Sequence, residues 1–395
     1  MNPTLVVACA SLVLLVGFGV RATFGLFLPP MTMEYGWGRE TFSFALAMQN
    51  LLWGALMAVA GGLADRYGAA KVVAGAGALY VIGLVAMAFA DTPLKLYVSA
   101  GFLLGLALSG TTFGVVLAVV ARVAPPEKRS TAMGLTTAAG SFGQFALLPV
   151  GQWLLDTLDW KMALVGLAVI AATIVPLAAA MGGRPAPTPG AEQSVGAALR
   201  EAWGERSFHL IFWGYFVCGF QLLMFSVHLP AFVMDAGLAP QHGMMALALI
   251  GLFNTIGTIA CGWLGGRFSK KYLLSGIYFL RALVMLPLVL FPLSLFTLYA
   301  FAVLMGLIWL GTVPLTNGLV GQIFGLRYMA MLTGIVFFGH QIGSFAGIWL
   351  AGYLFDTTGS YNGIFMISIA LAIGAALINL PVNERPLAER VPAPA

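Results

Sequence analysis

Arg21 and Arg281 are the two charged side chains that fall deep inside the long apolar runs of this sequence, away from the run ends; none of its 14 Asp and Glu residues lies in a run at all. A guanidinium at the centre of a bilayer costs about 2.5–3.5 kcal/mol even on insertion-based scales, so it marks a solute path or an internal pairing. No embedded carboxylate is available to neutralise either group. The expected counter-charge is therefore an anion arriving from outside, and the planar fork of donors on arginine suits a carboxylate bidentately.

Few other polar side chains reach the middle of the apolar runs. They are Gln49, Asn50, Gln144, Gln221, Asn254, His340 and Gln341, and they fall at similar depth. An amide facing lipid would lack partners and cost several kcal/mol, so each must face protein or water. Imidazole as a group titrates near working pH, which makes His340 a candidate proton site; His228, nearer one end of its run, is a second candidate. The plain alternative for either is a hydrogen-bonded packing residue. Cys9, Cys218 and Cys261 are far apart in apolar stretches and lack metal-ligand spacing. There is no nucleophile–base–orienter set, phosphate cradle or metal-ligand motif, so an enzyme, a bound metal and a cofactor are not expected.

The elements that must position these side chains follow from composition. Of 395 residues, 60% are hydrophobic and 8% charged, against about a quarter charged in soluble domains; this is an integral membrane protein. Runs long enough for a ~30 Å hydrocarbon core occur at 4–29, 41–62, 70–90, 94–121, 130–154, 160–182, 208–234, 242–264, 272–291, 294–322, 328–354 and 361–382. A membrane interior admits only helices or closed barrels, and these runs are too long and too uniformly apolar for barrel strands. The prediction is an all-α membrane protein with twelve spans. No cleavable signal is expected, because Met1–Pro3 lacks a charged segment and the first run is too long.

Orientation follows from the cations. With a cytoplasmic N-terminus, fourteen of them fall in inner loops and tail: Arg66, Lys71, Arg122, Lys128, Arg129, Arg184, Arg200, Arg206, Arg267, Lys270, Lys271, Arg327, Arg385 and Arg390. Only Arg39, Lys95 and Lys161 fall outside. Both termini are thus expected in the cytoplasm. The net charge of +5 is spread over loops, which argues against nucleic acid as a partner.

The stretch 183–207 opens Gly-Gly-Arg-Pro-Ala-Pro-Thr-Pro-Gly, which cannot continue a helix, and then offers a short polar helix. It is read as a cytoplasmic linker between a six-helix bundle at 1–182 and a second at 208–383, with a tail at 384–395. The halves also echo each other. Gly61-Gly-Leu-Ala-Asp65-Arg66-Tyr-Gly68 is matched by Gly262-Trp-Leu-Gly-Gly266-Arg267-Phe-Ser269, and Trp153-Leu-Leu-Asp156-Thr157 by Tyr353-Leu-Phe-Asp356-Thr357. Two matches in equivalent loops point to a duplicated six-helix unit.

Twelve spans, a 6+6 repeat and Gly61-x-x-x-Asp65-Arg66-x-Gly68-x-x-Lys71 between spans 2 and 3 resemble the major facilitator superfamily over essentially the whole chain. The resemblance implies the major facilitator fold, with Asp65 and Arg66 latching cytoplasmic helix ends; the plain alternative is a solvated loop pair. Gly266 replaces the acid in the second copy, so a symmetric second latch is not implied. Within the superfamily, Gly19-Val-Arg21-Ala-Thr-Phe-Gly25, Gly36-Trp-Gly-Arg39-Glu40-Thr-Phe-Ser43 and Gln49-Asn50-Leu-Leu-Trp-Gly54 are similar to bacterial members of the monocarboxylate-porter and oxalate–formate exchanger branch. That branch commonly carries a substrate-binding arginine in span 8, where this chain has Asn254 and no arginine, and its dicarboxylate exchangers a lysine in span 11, where His340 and Gln341 stand.

In the family fold, spans 1, 4, 7 and 10 line the solute cavity, and sites lie between the halves near mid-membrane. The resemblance thus implies a substrate-binding set of Arg21, Asn50, Gln144, Gln221, Asn254, Arg281, His340 and Gln341. For Arg21 the alternative is an internal brace. Arg281, on a peripheral span, either braces backbone carbonyls and Asn254 or reaches inward in place of the missing span-8 arginine. Phe113, Tyr215 and Trp309 either sandwich an apolar substrate tail or pack the core. The function implied is secondary transport of a small organic anion, a monocarboxylate first, across a bacterial inner membrane by a monomer working through alternating access, by proton symport or anion exchange. The rival is efflux of amphipathic or drug-like compounds.

Overall fold

The computed structural model describes residues 3–125, 129–182, 195–325 and 329–389, without the side chains of Asp65, Arg129, Ser130, Thr131, Val195, Ala330 and Ala388. Residues 183–194 of the linker expected at 183–207, and 390–395 of the tail expected at 384–395, lie outside the described residues. Everything regular among the described residues is helical. The twelve expected spans all appear, several of them interrupted. Span 1 is α1 (Pro3–Ala22) and α2 (Phe24–Tyr35), span 2 is α3 (Arg39–Tyr67), and span 3 is α4 (Ala69–Ala88). Span 4 combines α5 (Pro93–Leu96), a π-helical stretch (Tyr97–Leu103), α6 (Leu104–Thr111) and α7 (Phe113–Val123). Span 5 is α8 (Arg129–Thr157), and span 6 is α9 (Trp160–Ala172) with α10 (Ile174–Ala178). After a short helix α11 (Val195–Gly204) come α12 (Arg206–Asp235), α13 (Pro240–Gly265) and α14 (Lys270–Leu290), spans 7 to 9. Span 10 is α15 (Leu295–Leu307) and α16 (Thr312–Phe324), followed by α17 (Met329–Thr358) and α18 (Asn362–Asn379).

Eleven of these segments are long and apolar enough to cross a membrane. The exception, α8, carries Thr136, Thr137, Ser141 and Gln144 along one stretch. Those groups are used inside the protein: Ser11 of α1 donates to Thr136 at 3.2 Å, and Thr136 and Thr137 bond the carbonyls of Ala132 and Met133. Elsewhere large apolar side chains point outward, including Phe296 (83% exposed), Val169, Ile259 and Leu377. That is the surface a helix presents to lipid, where exposed apolar area carries no penalty.

The chain forms two compact units. The first comprises 1–186, 223–252 and 345–361; the second comprises 187–222, 253–344 and 362–395. Helices α12, α13 and α17 each contribute one segment to each unit.

The breaks matter because they free backbone groups inside the apolar layer. In span 4, Thr112 is extended between α6 and α7; its hydroxyl bonds Leu108 O at 2.7 Å and receives the Trp53 indole N–H at 2.7 Å. The π-helical stretch is held by Gln49 of α3, whose Nε2 donates to Ala100 O at 2.8 Å. Span 10 breaks between Leu307 and Thr312, and its loose carbonyls are met by Arg281.

Candidate functional site

In the first unit, Arg21 lies on the last turn of α1, half-buried. One Nη2 proton goes to Asn50 Oδ1 at 2.6 Å, and Asn50 is itself fixed by Nδ2 on Leu46 O at 2.7 Å. The guanidinium lies over the Trp53 ring at 5.1 Å, a cation–π contact. Trp53 packs edge-on against Phe18 (5.9 Å), and Phe18 against Phe113 (4.6 Å). The Arg21 Nε–H is buried and has no hydrogen-bond partner. A buried donor without an acceptor costs about 1–3 kcal/mol. One turn earlier, Tyr80 donates to Gly17 O at 2.9 Å and ties α1 to α4. Gln144 is half-buried on α8, where that helix passes Gly251 of α13.

In the second unit, Arg281 is fully buried and every edge of its fork is used. Nε and Nη2 donate to Ile308 O (3.3 and 2.9 Å), Nη2 also to Trp309 O, and Nη1 to Gln221 Oε1 at 3.3 Å; Cys218 Sγ lies 3.7 Å from Nη2. These carbonyls end α15, where a cation also meets the negative end of the helix dipole. Asn254 closes the other side of the same break, its Oδ1 accepting from Leu310 N and Thr258 Oγ1, both at 3.0 Å. Gln221 passes its Nε2 protons to Ser368 O at 3.0 Å. His340 is stacked on Phe337 (5.6 Å) and lies beside Tyr215, with Nδ1 3.1 Å from Gln341 Oε1.

Sequence reasoning missed a structural repeat around these arginines. Tyr278 donates to Gly214 O at 2.6 Å, as Tyr80 does to Gly17, so Cys218 stands four residues after its glycine as Arg21 does after Gly17. Arg21 occupies that position in the first half, and in the second Arg281 reaches within 3.7 Å of Cys218 Sγ from the third helix. The near-equal spacings Gly17–Tyr80 and Gly214–Tyr278 were the available signal. The Trp53–Phe18 wall was also missed, since neither residue is unusual in an apolar run.

His228 is in the first unit, within a polar cluster at the end remote from the N-terminus. Arg39 grips Asp235 with both terminal nitrogens (2.6 Å each) and donates to Tyr361 Oη at 2.8 Å, while its plane lies 3.7 Å over Phe355. His228 Nδ1 is 2.9 Å from Tyr361 Oη, and Nε2 is 3.0 Å from Ile348 O and 3.1 Å from Ser43 Oγ. Asp356 of α17 caps α3, accepting from the backbone N–H groups of Arg39 (2.9 Å) and Glu40 (2.7 Å). Residue 38 must be glycine for this: a Cβ there would lie 3.0 Å from Asp356 Cγ. Glu40 in turn accepts from the Trp349 indole at 2.9 Å.

At the opposite end, Gly61, Asp65 and Arg66 lie on the last turns of α3, and Gly68 makes the single-residue turn into α4 with φ +93°, a conformation open to glycine. Arg66 is exposed and lies 5.3 Å from the Tyr67 ring; the Asp65 side chain lies outside the described residues. Arg267, in the echo of this loop, stacks at 3.8 Å on Trp263.

The profile of the Major Facilitator Superfamily matches residues 10–347. Among curated relatives, the uncharacterized MFS-type transporter YcxA of Bacillus subtilis strain 168 is 24% identical over 372 residues, covering 91% of this chain and 90% of that protein. Monocarboxylate transporter 11 of Mus musculus is 28% identical over 391 residues, covering 94% and 86%. Among solved structures, a bacterial homologue of the human lysosomal transporter Spinster, inward-facing and unoccupied, matches with TM-score 0.80 at 14% identity, covering 100% of this chain and 99% of that one. A D-xylose–proton symporter matches with TM-score 0.75 at 15% identity, covering 98% and 100%. These two likenesses carry the fold.

Proposed function

Because this chain belongs to the major facilitator superfamily and is a multi-pass membrane transporter, we propose that its cargo is a small organic anion, a monocarboxylate first, carried across a bacterial inner membrane by alternating access. The observation that carries this reading is the buried, unpartnered Nε–H of Arg21. Its neighbours supply an amide and an aromatic wall but no acid. A carboxylate oxygen on Nε and a second on the free edge of the fork would complete the set, with Asn50 holding the guanidinium in plane. The apolar tail would rest on Phe18, Trp53 and Phe113. The resemblance to a protein named as a monocarboxylate transporter supports the same class.

In this reading Arg21, Asn50 and Gln144 serve the substrate in the first unit. Arg281, Gln221 and Asn254 hold the span-10 break, and His340 with Gln341 supplies the polar positions of the second unit. Asp65 and Arg66 serve the inner gate, with both termini cytoplasmic. Proton symport and anion exchange both fit this arrangement.

The test is uptake of radiolabelled short-chain, branched and aromatic monocarboxylates into proteoliposomes, with and without a pH gradient and with unlabelled anion inside. Saturable uptake that competing monocarboxylates inhibit, and sugars or amines do not, is the expected result. If no acid moves or competes while lipophilic compounds leave loaded vesicles, the anion reading falls and efflux replaces it.

A further inference from the structure

The cluster around His228 has a hydrogen-bond pattern that fixes a proton on Nε2 and sets Nδ1 against a hydroxyl. Carbonyl oxygens only accept, so the contact to Ile348 O places a proton on Nε2, with Ser43 Oγ sharing it. Tyr361 Oη receives Arg39 Nη1 and donates its own proton to Nδ1. Burial pushes the Tyr361 phenol well above its ordinary range, so it remains a neutral donor. With the imidazole neutral, Nδ1 is bare and accepts that proton. A proton added there would face the hydroxyl that now donates to it and the Arg39 cation behind that hydroxyl.

The groups around His228 come from several elements. Arg39, Glu40 and Ser43 belong to α3, Asp235 to the end of α12, and Ile348 and Asp356 to α17, with Tyr361 on the turn before α18. Helix α13, whose Gly243 packs on Pro230, brings His242. Helix α2 packs at Gly25 against the carbonyls of Ser226 and Val227. Both aspartates are committed, Asp235 to the Arg39 fork and Asp356 to the α3 N-terminus. Among the described residues, neither hydrogen-bonds the imidazole to neutralise its charge.

We propose that His228 is a proton-binding site whose protonation at Nδ1 opens this clamp, separating the segments 223–252 and 345–361 from the amino-terminal helices. Protonation costs Nδ1 its donor and sets imidazolium beside guanidinium. Tyr361 must then turn its hydroxyl proton away from Nδ1, and the Arg39–Asp235 pair and the Asp356 cap are left to hold the closure against the added charge. Once open, the imidazole meets water and keeps its proton. Under the cation bias this end faces outward, so external acid favours the state open to the outside; that meaning rests on the alternating-access reading. A water-exposed imidazole titrates near 6.5. If the closed clamp admits no proton at Nδ1, linkage raises the open-to-closed ratio about 30-fold between pH 8 and pH 5.

The test is the distance between spin labels on Met33→Cys of α2 and Thr357→Cys of α17, both exposed positions, in full-length protein in nanodiscs without substrate. The half-buried Cys261 is replaced by alanine. The expected result is a long-distance population that grows as pH falls from 8 to 5, and is abolished as a pH response in His228→Gln and His228→Asn. Either variant that elutes as a folded monomer suffices. His242→Gln should titrate as the parent does, and Asp356→Asn should raise the open population at every pH while the pH response persists. A pH response that survives in both His228 variants, or a parent distance independent of pH, overturns the proposal. Since no cargo is added, failure of the carboxylate reading would leave this result untouched.

Discussion

Replacing Arg281 with methionine removes a fork that answers three acceptors at once: the carbonyls of Ile308 and Trp309 and Gln221 Oε1. Trp309 and Gln221 are buried, Ile308 is half-buried, and Arg281 itself is 0% exposed. Each orphaned acceptor costs about 1–3 kcal/mol. Against that, the buried guanidinium carries a desolvation penalty of several kcal/mol that methionine does not. The net loss is therefore set at about 2–4 kcal/mol. Lysine keeps the charge but offers a compact ammonium in place of a planar fork, so Arg281→Lys should lose roughly half as much. Thermal unfolding of the purified protein in detergent, followed by ligand binding on the surviving material, reads both effects. The expected order of melting temperature is parent, then lysine, then methionine, with affinity for the transported acid within about two-fold of the parent. If Arg281→Met melts like the parent, or if it melts normally and loses binding, the bracing role is wrong.

Three further outcomes follow from the same contacts. Gly38→Ala inserts a Cβ 3.0 Å from Asp356 Cγ and should expel the cap from α3 at about 1–2 kcal/mol; in Gly38→Ala/Asp356→Ala the losses should not add, as melting temperatures of the four proteins would show. Trp53→Leu strips the ring 5.1 Å from Arg21, and at about 0.5–2 kcal/mol should weaken substrate affinity between roughly 2-fold and 30-fold in equilibrium binding. Tyr80→Phe and Tyr278→Phe each orphan one glycine carbonyl, so each should cost about 1 kcal/mol and lower the melting temperature alike; a large difference would contradict the equivalence of the two halves.

The spans were legible because a run of twenty apolar residues has one outcome in lipid. Even α8, too polar to qualify by hydropathy, was visible from its length. The breaks were not legible. Thr23, Thr112 and Thr173 interrupt helices in sequences as apolar as their neighbours, their hydroxyls bonding backbone carbonyls three or four residues back, and threonine does the same without breaking a helix elsewhere. Arg21 and Arg281 stood out by their charge, but their different surroundings depend on partners 27 to 60 residues away. The clamp was the least visible of all. Asp356 was conspicuous only as the echo of Asp156, while its capping partners lie 316 and 317 residues away. No periodicity in the chain announces such a meeting.

Arg21 as the anion anchor is what the proposed transport depends on most directly. Equilibrium binding of the best competing monocarboxylate should be compared in the parent, Arg21→Lys and Arg21→Gln, with folding checked by melting temperature. A loss on the order of 100-fold or more for glutamine, and a smaller loss for lysine, is the predicted result. Near-parental affinity in a folded Arg21→Gln protein would contradict it.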